Sequence, residues 1–152
     1  MENKNKSFKL YNVLFPIWML PEAWLIVLVG NFAIDSLVLY IGMSVFKIEQ
    51  KLEFYKKHIL KVFGFGLLAD ILGAVFMFVL MFVFNIGAMG DELYLTIPGL
   101  IVSAVLIYVF NYNVTFKDVD QPTRKKLSLL FAIVTAPYTF LIPSRVIWYG
   151  TY

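Results

Sequence analysis

Residues 47–85 read KIEQKLEFYKKHILKVFGFGLLADILGAVFMFVLMFVFN. Five lysines, Lys47, Lys51, Lys56, Lys57 and Lys61, lead into a run to Asn85 whose one charged residue is Asp70. A helix needs about 20 mostly apolar residues to cross a bilayer, and this run exceeds that. Backbone groups find no water in hydrocarbon, so a crossing segment has to close its own hydrogen bonds as a helix. This stretch predicts a spanning helix that begins beside a basic boundary.

Working outward, four stretches meet the same test: 24–46, 59–85, 94–112 and 127–149. A fifth apolar segment, 10–20 (LYNVLFPIWML), is short and interrupted by Pro16, which cannot donate a helical hydrogen bond. It reads either as a short span turning at Pro21-Glu22 or as an interfacial or re-entrant segment; the span is the favoured reading. A cleaved signal peptide fits less well, because Pro16 breaks its apolar core and no good small-residue cleavage pattern surrounds Ala23. The expected fold is all-α: one integral membrane domain over 1–152, a polytopic bundle of four long spans plus the N-terminal segment.

Charge orients the bundle. Of 13 Lys and Arg residues, twelve fall in three clusters: Lys4 to Lys9, Lys47 to Lys61, and Lys117 to Lys126. Between the second and third apolar stretches lie only acids, Asp91 and Glu92. Basic residues are retained on the cytoplasmic side, so loops 47–58 and 113–126 are expected inside, and loop 86–93 and the C-terminus outside. A short N-terminal span would place the first cluster inside as well. Trp24, Tyr94, Tyr112, Trp148 and Tyr149 mark the boundaries as interfacial anchors.

Composition agrees and removes several function classes. Hydrophobic residues make up 61% and charged residues 15%, against roughly 45–50% and about 25% in soluble domains. The net charge of +3 sits at membrane boundaries, where topology and anionic lipid account for it, so no nucleic-acid partner is expected. With no cysteine, thiol chemistry is excluded, and with one histidine a conventional zinc site is not expected either; no metal or other cofactor is expected. Nucleophile-elbow, zincin and phosphate-loop patterns are absent. Ile34-Asp35 and the residues before Asp70 do not match the paired motifs of intramembrane aspartyl proteases. No catalytic residues are expected. His58 follows Lys56-Lys57 at a boundary and is expected to be solvated.

Asp35 and Asp70 are the candidate site. A carboxylate at mid-bilayer costs roughly 2.5–3.5 kcal/mol on insertion scales, so each should face the bundle interior. Asn31 and Gly42 share a helical face with Asp35; Gly66, Gly73 and Ala74 share one with Asp70. Carboxyls at similar depth and close together cannot both ionise without a cation between them. One reading is therefore a proton- or cation-binding centre. The other is a pair of carboxyls that stitch helices together. Ser103 and Thr135 lie on further small or polar faces, with Gly99 and Asn111 and with Ser128, Ala132 and Thr139, and could complete a hydrated pocket. Arg145 lies near the expected outer end, where it either snorkels to headgroups or pairs with Glu22, Asp91 or Glu92.

Asn111-Tyr112-Asn113-Val114-Thr115-Phe116 closes an out-to-in span. At Asn111, Thr115 and Phe116 it resembles the Asn-Arg-x-[Trp/Phe]-Thr-Phe pattern of the GtrA-like family, covering about a third of the chain. Tyr112 and Val114 replace that family's arginine and bulky aromatic. The resemblance implies handling of lipid-linked sugars.

Three functions are expected from these features: a small transporter- or channel-like protein centred on the aspartates, an accessory or binding subunit of a membrane complex, or a lipid-linked-sugar flippase. A chain this short encloses little pore, so beyond the lipid bilayer its expected partner is a second copy or another membrane protein.

Overall fold

The computed structural model of the chain describes residues 21–83 and 93–141, and all its regular structure there is helical. The order is α1 (Pro21–Val45), α2 (Lys51–Val83), α3 (Leu93–Phe110), a five-residue π-helical turn (Asn111–Thr115), α4 (Gln121–Val134) and a 3-10 turn (Tyr138–Leu141). Three segments are long and apolar enough to cross a membrane: Leu28–Val45, Lys51–Val83 and Thr96–Thr115. The segment 10–20, Asp91, Glu92 and Arg145 lie outside the described residues.

Helix ends are set by local chemistry. Pro21 is the first described residue of α1. At its other end Ile48 N–H bonds Met43 O (2.9 Å) and Lys47 N–H bonds Ser44 O (3.4 Å), with Lys47 at φ 55°. This double return of the chain satisfies carbonyls that the last turn would leave open, and its left-handed position is usually glycine. Asp120 caps α4 by accepting from Thr123 N–H at 3.1 Å, with Pro122 in the first turn.

The expected loops prove shorter than their charge suggested. Lys51 to His58 are helical, and α2 runs 33 residues, about 50 Å at the helical rise. Lys, Leu and Glu are strong helix formers, so the basic run extends the helix beyond a hydrocarbon layer of about 30 Å. On the other side the π turn reaches Thr115 and α4 starts at Gln121, leaving 116–120 as the connection.

The stretch 127–149 does not continue as one helix. α4 has 14 residues, about 21 Å, and ends at Val134. Pro137 disfavours helical geometry at Ala136 and has no N–H to continue the ladder. Thr135 closes the end, its Oγ1 donating to Phe131 O at 2.9 Å, and Tyr138 Oη donates to Ile133 O.

α2 and α3 make the most extensive contact in the bundle. A Cβ on Gly73 would overlap Ser103 Oγ and lie 3.0 Å from Gly99 O, so the two backbones approach where only glycine fits. α1 meets α2 through an edge-on Phe32–Phe63 pair (5.5 Å) and meets α4 where Gly42 faces Leu127. Val38, Leu39, Val62, Ile107, Phe116 and Phe131 fill the centre.

Large apolar side chains also cover the outside: Ile34, Leu37, Ile41, Ile71, Val75, Val79, Ile101 and Val105 are exposed. Asp35, Ser103, Asn111, Thr115 and Ser128 are buried instead. Apolar outside and polar inside is a distribution compatible with a membrane protein.

Candidate functional site

Three helices converge on one level of the bundle. Asp35 on α1 is 6% exposed, and its Oδ2 lies against Gly66 of α2, 3.7 Å from where a Cβ would stand. Gly66 is one helical turn before Asp70, so the Asp35 carboxyl meets α2 on the turn next to Asp70. From α3, Ser103 donates its hydroxyl to Ala69 O at 3.1 Å, beside Asp70 in the chain. Asp70 Oδ1 is buried with no hydrogen-bond partner among the described residues. Along the helices joined by the turn at 46–50, Asp35 lies ten residues before the end of α1 and Asp70 19 residues after the start of α2, roughly 15 and 28 Å at the helical rise.

Of the other candidates, Asn31 is half-buried one turn from Asp35. Thr135 is not part of this group: its hydroxyl is spent capping the end of α4. Glu22 is helical in α1, but its side chain, like Arg145, lies outside what is described.

The basic end holds a second group, which the sequence does not announce. His58, expected in solvent, is 1% exposed. Its ring packs on Phe54 (4.1 Å) and Phe116 (5.5 Å). Nδ1 lies 2.8 Å from Phe54 O and Nε2 3.2 Å from Asp118 Oδ1. Each ring nitrogen thus faces an oxygen, one of the backbone and one of a carboxylate. Lys57 pairs with the other oxygen of Asp118. Partial burial opposes ionisation of Asp118, but hydrogen bonds from Lys57 and His58 outweigh it and hold the carboxyl well below the usual carboxylate range. An acid inside a lysine-rich loop was the one available signal for this pairing. Beside it opens a cleft of about 560 Å³ between the turns 46–50 and 116–120, so the two basic connections share one end of the bundle.

At the same end Arg124 stacks over the Tyr112 ring (4.1 Å) and donates Nε–H to Tyr112 O. Asn111, Thr115 and Phe116, the positions of the GtrA-like resemblance, are each fully buried.

No family model, curated protein or solved structure matches the chain. The GtrA-like resemblance therefore rests on those three positions alone.

Proposed function

We propose that this is a small multi-pass membrane transport protein in which Asp35 and Asp70 bind a proton or monovalent cation halfway across the bilayer. The single observation that carries the reading is the buried Oδ1 of Asp70, without a hydrogen-bond partner among the described residues, one helical turn from the glycine that Asp35 faces. A carboxyl retained only to join helices would gain nothing from an open acceptor, which costs about 1–3 kcal/mol when buried. Two neighbouring carboxyls instead make a place where one proton or cation relieves the repulsion between them. The inward convergence of the polar residues also favours an internal site over a polar face offered to another protein.

In this reading the lysine-rich end faces the cytoplasm and the C-terminus the outside. The protein works as a homo-oligomer in the bilayer, Ser103 and Asn31 line the site, and no chemical bond is made or broken.

The test is flux of H⁺, Na⁺ and K⁺ into liposomes under imposed gradients. Wild type should conduct one of them, and Asp35→Asn and Asp70→Asn should abolish conduction while melting as wild type does, because Asn keeps size and hydrogen bonding. Wild-type liposomes that conduct none of the three would overturn the reading. Co-purification of a membrane partner would then favour an accessory subunit.

A further inference from the structure

One line of α3 and its π turn is buried at every fourth position: Gly99, Ser103, Ile107, Asn111 and Thr115. Its upper end is the hydroxyl bonded beside Asp70. Its lower end is next in sequence to Phe116, against which the His58 ring packs. The line therefore runs from the carboxylate pair to the group at the inner cleft.

Its lower half is polar and unpaired. Asn111 Oδ1, Asn111 Nδ2 and Thr115 Oγ1 are all buried with no hydrogen-bond partner among the described residues. Ser128 Oγ is in the same condition on the buried face of α4, the helix packed against this turn. Three fully buried side chains with four open polar atoms are a concentration that native interiors avoid. Chemistry narrows the guest. Asn111 offers both an acceptor and a donor, and a bare cation would satisfy its oxygen but leave Nδ2 unpaired. Water donates and accepts, and the hydroxyls of Thr115 and Ser128 do so as well. π-helical turns recur at functional sites, and this one sets Asn111 and Thr115 on the buried side.

We propose that Asn111, Thr115 and Ser128 hold a short file of buried water that carries protons between the inner cleft and the Asp35–Asp70 pair. The inference rests on the transport reading and adds the proton's inner route. A proton enters from the cleft, whose charged residues are Lys47, Glu49, Glu53, Lys57, Asp118 and Asp120, with His58 beneath them. It passes by exchange along the water file, each molecule accepting one proton and releasing another, and arrives at a carboxylate; release in the opposite direction reverses the steps. Ile107, 1% exposed, separates the file from Ser103 by one helical turn on each side and forms its apolar neck.

Two readouts test this separately. Hydroxyl radicals generated by synchrotron X-rays from water inside the protein oxidise the side chains that touch it. Ile107 and Phe116, almost without exposure to bulk solvent, should be modified in wild type, and modification should fall severalfold in the Asn111→Leu/Thr115→Val variant. Proton flux in liposomes should fall tenfold or more in the same variant, with its melting temperature roughly held, because apolar groups of similar shape replace the side chains together with the water they bind. Thr115→Val and Ser128→Ala singly, each a small change, should lower flux with the fold intact.

Absence of wild-type labelling at Ile107 and Phe116 overturns the water file, whatever the flux. Labelling that persists with flux unchanged in the variants overturns the route while leaving the carboxylate site standing. Wild type that is labelled but passes no protons overturns the proton route; the transport reading fails with it only if Na⁺ and K⁺ do not pass either, an outcome distinguishable from the loss of the water.

Discussion

His58 Nε2 and Asp118 Oδ1, 60 positions apart in the chain, lie 3.2 Å from each other and tie the start of α2 to the connection before α4. Asp118→Asn should cost about 1 kcal/mol, less than a buried charged hydrogen bond because the carboxylate is partly exposed. His58→Ala should cost more, roughly 2–4 kcal/mol, because it also leaves a ring-sized space between Phe54 and Phe116. The pH dependence follows from the lowered folded-state pKa of Asp118. Its contribution should be complete above the unfolded carboxylate value of about 3.9 and should be lost as pH falls below that toward the folded value. Detergent melting curves of wild type and Asp118→Asn should differ by a constant amount at neutral pH and converge in strong acid. A gap that widened on acidification would contradict the pairing.

The glycines of the bundle should separate by what faces them. Gly73→Ala meets Ser103 and the backbone of Gly99, neither able to withdraw far, and should destabilise by about 1–3 kcal/mol. Gly99→Ala meets only the Met77 side chain, which is flexible, so the loss should be smaller. Gly64 has open space around it, and Gly64→Ala should be neutral or stabilising by up to about 1 kcal/mol from helix propensity. Melting temperatures of the three variants give the order directly, and a Gly64→Ala loss as large as that of Gly73→Ala would refute it.

Two helix ends should respond in opposite directions. Lys47 occupies a left-handed position that glycine adopts without strain, so Lys47→Gly should stabilise by about 1 kcal/mol. Asp120→Ala removes the acceptor for Thr123 N–H and should cost about 1 kcal/mol. Chemical denaturation in mixed micelles, read by far-ultraviolet circular dichroism, would report both.

Much of the helical layout is legible in the chain itself. Apolar run length identifies the three long helices because hydrocarbon thickness sets a minimum span, a one-dimensional constraint that a chain records directly. The unfavourable transfer of a carboxylate points Asp35 and Asp70 inward for the same reason. The fourth stretch misleads because hydropathy continues past Pro137 while helical geometry does not. His58 misleads because its neighbours in sequence are lysines, whereas its neighbours in space are Phe54, Phe116 and Asp118.

Sequence by itself thus determined that three apolar runs are long enough to cross a membrane, where the basic residues cluster, and which costly groups have to avoid lipid; that the fourth run breaks at Val134 it did not determine. Tertiary structure alone decided which helix faces meet: Asp35 against Gly66, Ser103 against Ala69, His58 against Asp118. The three long helices are apolar around most of their circumference, so only a few small or polar residues, not a broad amphipathic stripe, mark the inward face as it would be marked in a water-soluble bundle. Close approach at glycine and the few interhelical hydrogen bonds select the pairing, and both depend on residues far apart in the chain.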